Sequence, residues 1–373
     1  MAPKRPKGAG ALEKDTRPAL SPAPVPPRSS ELYAALDLGT NSCRMLIAQP
    51  KGGGFRVVDS FSKSVQLGAG LERTGRLSRG SMARTVQALR ICQQKLRRSK
   101  VRHMRLVATE ACRRAKNGPD FMQRIQRETG LTLDIITPEQ EAQLAVISCA
   151  PLVSAKTENL LVVDIGGGST ELVWIDMSGV PRADRARSIM RLHAGFHQPL
   201  TDVPAAKVVD WISVPLGVAT LRDQFNDVED DAARFALMSW YFEENLQDFT
   251  PYQAEQSQER FQIVGTSGTV TTVAASHLGL KRYDRAKIDG LRMTSAQIDA
   301  VIRSYLAMGP GGRRADPRIG TDRAALIMSG AAILQALMRC WPTDRLSVAD
   351  RGLREGLLYA QMSAQGVLDE EST

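Results

Sequence analysis

The sequence predicts an α/β fold made of two copies of one half, and three observations carry that expectation. Stretches of strand-like apolar alternation give way repeatedly to apolar residues at helical spacing. The turn Asp37-Leu38-Gly39-Thr40-Asn41-Ser42 lies between two apolar strands, and Asp164-Ile165-Gly166-Gly167-Gly168-Ser169 repeats its D-x-G-x-x-S spacing between two more. At 373 residues, 43% apolar and 24% charged, the chain is long enough for two globular cores.

Strands are expected over 32–36, 43–48, 55–60 and 65–67, each a short apolar or alternating run bounded by turn residues. Ser78 is placed to cap a helix over 78–97, where Met82, Val86, Leu89, Ile91 and Leu96 recur at helical spacing. A strand over 104–108, a short helix from Thr109 and a helix over 119–128 that stops near Gly130 come next. A strand over 131–136 leads into a helix opened by Thr137-Pro138-Glu139 and reaching about residue 150. The second unit begins with strands over 160–164 and 171–175. Helices over 232–246, 270–278, 295–308 and 321–340, strands over 262–264 and 345–349, and a last helix from 352 to about 362 complete the set.

The net charge of +9 is unevenly placed. Residues 1–30 carry Lys4, Arg5, Lys7, Lys14, Arg17 and Arg28 against Glu13 and Asp15, and hold seven of the 19 prolines. Backbone pairing fails in such a segment, so a disordered basic arm is expected; it lacks the apolar core of a secretory signal. No apolar run reaches the roughly 20 residues of a membrane span, and the nearest, 324–338, is interrupted by Ser329, Gly330 and Gln335 and reads as a buried helix. The five cysteines form no C-x-x-C pair, which points to a reducing cytoplasm. Basic clusters at 97–102, 113–116 and 313–314 suggest a polyanionic ligand, and nucleic acid, anionic lipid and oligophosphate all answer to that charge; each cluster alone also reads as a solvated helix face.

Glycines between a buried strand and its return strand let backbone N–H groups approach an anion, and hydroxyls add donors. The run Gly166-Gly167-Gly168-Ser169-Thr170 suits this, and Gly265-Thr266-Ser267-Gly268-Thr269 does so at the start of the helix over 270–278. Three such loops converging would grip a chain of phosphates, although each alone also fits a plain tight turn. Asp37 and Asp164 end their strands beside these loops, where a carboxylate repels phosphate unless a hard cation lies between them. Mg²⁺, with Mn²⁺ as a substitute, meets that need, and Glu171 on the same hairpin is placed to join its shell.

Seven motifs in order now carry a resemblance: 35–42, Ala108-Thr109-Glu110-Ala111-Cys112-Arg113, Glu139-Gln140-Glu141-Ala142, 164–171, Pro215-Leu216-Gly217, 265–269 and Leu353-Arg354-Glu355-Gly356. Over about 32–362 the chain resembles the exopolyphosphatase and guanosine pentaphosphate phosphohydrolase family. The resemblance implies two actin-like (ribonuclease-H-like) domains, 31–138 and 139–351, with segment 352–373 packing back on the first and an active site in the cleft between them. It further implies Glu141 as general base toward a water, with Glu139 as a rival, and Asp164 and Glu171 as metal-binding and catalytic acids joined by Asp37. Arg113 is implied as a phosphate clamp, extended by Arg114 and Lys116, with Gly39, Thr40, Asn41 and Ser42, Gly166 to Thr170, and Gly265 to Gly268 as substrate cradles. Arg44 is a further contact.

The expected reaction is Mg²⁺-dependent release of orthophosphate from the end of inorganic polyphosphate. Hydrolysis of guanosine pentaphosphate to the tetraphosphate is the alternative; a kinase of the same superfamily and a non-catalytic polyphosphate or alarmone binder are the rivals outside that pair. Neither membrane nor nucleic acid is expected as a partner, and the family implies a homodimer. Gly68-Ala69-Gly70 fails as a dinucleotide fingerprint because Arg stands at 73, no P-loop sequence exists, and His193 and His197 lack the partners of a zinc site. With only four histidines and an end soon after the last helix, a C-terminal gripping domain and long-chain processivity are not expected.

Overall fold

The computed structural model describes residues 31–192, 205–249, 251 and 259–368; the basic arm expected at 1–30 lies outside them, as do His193 and His197. Eleven strands are described: β1 (Tyr33–Leu38), β2 (Ser42–Lys51), β3 (Gly54–Ser64), β4 (His103–Ala108), β5 (Asp134–Ile135), β6 (Asn159–Ile165), β7 (Thr170–Asp176), β8 (Lys207–Val214), β9 (Phe261–Thr266), β10 (Arg292–Met293) and β11 (Leu346–Ala349). They form a five-stranded sheet ordered β3-β2-β1-β4-β5 and a six-stranded sheet ordered β10-β11-β9-β6-β7-β8. The duplication read from the turns extends to topology. In the first sheet β1 pairs antiparallel with β2 and parallel with β4; in the second, β6 pairs antiparallel with β7 and parallel with β9.

Strand alternation decides which side chains meet which helices. Leu36, Leu38 and Met45 face the helices Arg79–Arg98 and Gly118–Thr129, whose Leu89, Phe121 and Ile125 complete one core. On the opposite face Tyr33, Ala35 and Leu46 meet Leu357, Leu358 and Met362 of the helix Leu353–Ala364. In the second sheet Val162, Val173 and Ile175 pack on Ala142 and Val146 of the helix Pro138–Cys149. Leu161, Trp174 and Phe261 face the helices Asp231–Glu244, Gly268–His277 and Ile327–Cys340. The helices Pro138–Cys149 and Leu353–Ala364 form the seam between the sheets: a Cβ on Gly356 would stand 2.1 Å from the Leu144 carbonyl oxygen, so only glycine permits this crossing. No helix among the described residues is long and apolar enough to cross a membrane.

Four expected elements differ. Residues 65–67 are not a strand, because the Val65 and Gln66 amides both donate to the Asn41 carbonyl and Gln66 takes φ 48°, wrapping the chain around the first turn. The strand over 131–136 shrinks to β5, while Leu131 and Leu133 are buried without a ladder. The helix over 321–340 is broken into Thr321–Ala324 and Ile327–Cys340, and the helix begun at Ser295 runs to Ala315 through a kink at Gly309, φ 64°. Strand β8 went unread: it is an edge strand whose residues are mostly half-buried, so its alternation is weak. No disulfide joins the cysteines among the described residues, and four of the five are buried.

Candidate active site

The β1–β2 and β6–β7 turns close in the same way, with Gly39 N–H donating to the Ser42 carbonyl at 3.0 Å and Gly166 N–H to the Ser169 carbonyl at 2.9 Å. Their remaining carbonyls are taken from behind. Asn41 O accepts from Val65 and Gln66 at 2.9 and 3.0 Å, and Thr40 O accepts from Gly68 at 2.9 Å. Gly166 O accepts from Val218 at 3.0 Å, Gly167 O from Ala219 at 2.8 Å, and Gly168 O from the Thr220 hydroxyl at 3.1 Å. With the carbonyls committed, no acceptor among the described residues takes the Gly167 or Gly168 N–H, the arrangement of a backbone nest for an anion.

The two turns touch tip to tip. A Cβ on Gly167 would lie 3.2 Å from Thr40 Cβ, and one on Gly168 would lie 2.6 Å from Thr40 Oγ1 and 2.8 Å from Glu110 Cγ. Over this contact opens a cleft of about 710 Å³ walled by both turns, the 266–269 loop and the start of the helix Leu353–Ala364. In that third loop Ser267 is held at φ 117°, a region L-residues avoid, and its buried Oγ has no hydrogen-bond partner. Strain of this kind costs roughly 1–3 kcal/mol and persists where the surroundings impose it, often at ligand sites. Here it sets an orphan donor at the N-terminus of the helix Gly268–His277, where the helix dipole favours an anion.

Charge of both signs converges on the cleft. Asp37, Glu141 and Asp164 line it. Burial raises the Asp37 carboxyl against the pull of Arg44 and Arg354. Burial, with the Asp37 charge added, raises Asp164 to about 6. Glu141 rises well above the usual range through burial and the charge of Glu171, opposed by Arg113. On the cationic side Arg44, Arg323 and Arg354 line the cleft. Among the described residues the Arg323 guanidinium donates only to the Thr272 hydroxyl, at 2.7 Å. Arg354 is held below its ordinary value by burial and by Arg44, and its nearest acid is Glu355 at 3.9 Å. Part-buried acids beside underpaired guanidiniums describe a site shaped for a polyanion and a cation together.

Most residues singled out in the sequence meet here: Asp37, Gly39, Thr40, Asn41, Ser42, Glu141, Asp164, Gly166, Gly167, Gly168, Ser169, Thr266, Ser267 and Gly268 all line the cleft. Arg113, Thr170, Glu171 and Gly265 stand behind the lining. Arg113 donates to Glu110 at 2.6 Å, to the Ile136 carbonyl at 2.7 Å and to Glu141 at 3.3 Å, so its fork is occupied by protein rather than directed at phosphate. Arg114 pairs with Glu72 at 2.5 Å, on the side of the turn contact away from the main cleft. The Thr170 hydroxyl donates to the Leu216 carbonyl at 2.7 Å. Glu171, 2% exposed, accepts from the Ser169 and Ser213 hydroxyls at 2.7 and 2.8 Å. Its cross-strand partner is Asp164, whereas in the first hairpin Asp37 faces Arg44 at the equivalent place. Asp37, Asp164 and Glu171 therefore do not assemble as one ligand set, and no group of three or more His, Cys, Asp or Glu side chains among the described residues does. Asp37 and Asp164 still fit a divalent ion that keeps most of its waters, since both line the cleft, burial raises both carboxyls, and the Asp37 charge disfavours that of Asp164. Glu139 does not line the cleft. Sequence reasoning missed Arg323, Arg354 and Tyr283 as lining residues; only Arg354 lay inside a motif that had been noticed.

The chain matches the Ppx/GppA phosphatase family over residues 46–365. It is 30% identical over 335 residues to a guanosine-5'-triphosphate,3'-diphosphate pyrophosphatase of Aeromonas salmonicida, an alignment covering 89% of this chain and 59% of that protein. The chain thus spans about 59% of the length of that curated relative. The crystal structure of the Aquifex aeolicus member of the Ppx/GppA family superposes with a TM-score of 0.69 at 29% identity, covering 92% of this chain and 99% of that one. An exopolyphosphatase structure from Cytophaga hutchinsonii shares the fold with a TM-score of 0.74 at 21% identity, over 90% of this chain and 98% of its own. The two mixed sheets are those of an actin-like two-domain fold, and the chain belongs to the Ppx/GppA phosphatase family.

Proposed function

We propose that the protein hydrolyses the terminal phosphoanhydride bond of inorganic polyphosphate, releasing orthophosphate. The observation that carries this reading is a part-buried carboxylate, Glu141, in the same cleft as two matching glycine turns and an orphan serine hydroxyl. Phosphoryl transfer to water needs an in-line nucleophile and compensation of charge on the transferring oxygens. The amides of the two turns and Ser267 hold the phosphates, and Arg44, Arg323 and Arg354 balance their charge. Glu141, whose ionisation Arg113 favours against burial and the charge of Glu171, accepts a proton from the attacking water once deprotonated. Ser169 is oriented by Glu171, which acts through it. Mg²⁺ held by Asp37 and Asp164 would neutralise the scissile phosphoryl oxygens.

A second reading, removal of the 5′-terminal phosphate of guanosine pentaphosphate, is favoured by the named activity of the Aeromonas relative. Orthophosphate release from tripolyphosphate, longer polyphosphate and guanosine pentaphosphate, with and without Mg²⁺, tests both. Glu141→Gln should lower kcat about 10²–10⁴-fold on whichever substrate turns over. A variant as fast as wild type would remove Glu141 as the base.

A further inference from the structure

Between Glu72 and Glu110 the chain holds eleven Lys or Arg and no Asp or Glu. The stretch supplies the helix Arg79–Arg98, whose first turn carries Arg79 and no acid, so part of this charge opposes the helix dipole and does nothing for the helix itself. Edge strand β3 lies alongside. Its Lys63, Phe61 and Asp59 stand opposite Cys43, Met45 and Ile47, and directly opposed residues of an antiparallel pair share a face, here the one packed on the helix. Two contacts fix how strand and helix run together: Arg84 Nε donates to the Val65 carbonyl at 3.1 Å, and Lys95 Nζ pairs with Asp59 at 2.7 Å. The helix therefore starts beside the end of β3 that meets the cleft, where Ser62, Lys63 and Ser64 line the wall, and runs away from it. Lys63, Arg84 and Arg98 are exposed and make no ion pair among the described residues. Lys63 and Arg84 stand at the cleft end, and Arg98 lies about 20 Å further along the helix. Asp59, the acid on this face of β3, is already matched by Lys95, with the charge of Arg98 added.

We propose that this groove is an exosite for the trailing phosphates of a long polyphosphate, a binding site outside the catalytic cleft and continuous with it through Lys63. The inference rests on the polyphosphate reading of that cleft and adds a preference for chain length that the cleft alone does not supply. A uniformly anionic chain without side groups needs only a row of cations, and the groove offers one. Single-stranded nucleic acid asks for more, since its bases stack on aromatic rings, and residues 62–120 include no Phe, Trp or Tyr. Tripolyphosphate, taken up by the cleft, is too short to reach Arg98.

The test compares KM and kcat for orthophosphate release from tripolyphosphate and from long-chain polyphosphate, with Mg²⁺. The variants are Arg84→Gln with Arg98→Gln, Arg84→Lys with Arg98→Lys and, to control for net charge, Arg182→Gln with Arg187→Gln, two exposed arginines of the other half. The glutamine pair in the groove should raise KM for the long chain about tenfold, two exposed charge contacts at the upper end of their usual strength. Its kcat on the long chain and both constants on tripolyphosphate should stay within about threefold of wild type. The lysine pair, which keeps the charge, and the control pair should behave as wild type. Equal losses on both substrates would show damage to the fold or the cleft and overturn the proposal; so would an unchanged KM for the long chain, or a control pair as impaired as the groove pair. If wild type turns over neither substrate, the phosphohydrolase reading fails by itself. Equilibrium binding of long-chain polyphosphate then decides: tenfold weaker binding by the groove pair, with a shallower salt dependence, supports the exosite, and equal affinities end it. A polyuridine RNA bound more tightly than polyphosphate, and lost with the same pair, would give the groove to nucleic acid and overturn the proposal.

Discussion

Glu141 is useful only if a buried carboxylate can lose its proton near neutral pH. Burial and the charge of Glu171 hold its proton on; Arg113, 3.3 Å away, works against them. The guanidinium is itself fixed by Glu110 and the Ile136 carbonyl, so it cannot swing toward substrate without breaking both bonds. Arg113 is accordingly a positioning residue. A base with a raised value is competent only after deprotonation, so activity should climb with pH along an acidic limb. Arg113→Gln removes the charge that lowers Glu141 and should move that limb to higher pH, with kcat recovering in part at alkaline pH. A pH–rate profile that falls uniformly without moving would instead return Arg113 to direct phosphate contact. None of this was legible in the sequence: Arg113 stood in a motif and its charge was plain, but Glu110 and Ile136 reach it only through tertiary folding.

At the level of turns and helices, the site depends on backbone held by backbone. The N-terminus of the helix Val218–Gln224 feeds its amides into the Gly166–Gly168 turn, and a Cβ on Gly217 would lie 2.5 Å from the Gly167 carbonyl carbon and 2.6 Å from Gly166 O. Gly217→Ala should push the turn out of place, destabilise the protein by about 1–3 kcal/mol as overpacking does, and lower turnover more than the drop in Tm explains. Thermal melts beside kcat on the same preparation check this, and an alanine variant of wild-type turnover would show the turn to be tolerant. The hairpins themselves were legible because their signal is local: an acid, a glycine and a serine at fixed spacing between apolar strands. Tyr283 and Arg323 gave no such signal. Each stands outside every noticed motif and reaches the cleft through the packing of helices distant in sequence, and the φ of Ser267 is a property of the folded loop alone.

Across the whole molecule the buried acids link folding to pH. Asp164 rises from 3.8 to about 6, and Glu171 and Glu141 also rise. A carboxyl whose folded value exceeds its unfolded one holds its proton more tightly in the native state. Its stabilisation is complete below about 4 and is lost as pH climbs through about 6 and, for the two glutamates, higher. Metal-free protein should therefore melt at a higher temperature near pH 5 than near pH 7.5, and millimolar Mg²⁺ should narrow that gap by favouring the ionised pair Asp37 and Asp164. Scanning calorimetry at the two pH values measures it, and a gap indifferent to Mg²⁺ would remove these two carboxylates as ligands. The duplicated architecture was readable before the structure because the repeat is carried by short motifs. The seam was not, since it depends on Gly356 meeting Leu144 across the two halves.

The tip-to-tip meeting of the two turns also governs traffic. On the far side of that contact lies a crevice of about 10 Å³ bounded by Thr40, Glu110, Gly168 and Thr220, space for about one water molecule and none for orthophosphate. On the proposed reading, orthophosphate has no exit past this contact and must depart through the open side of the cleft.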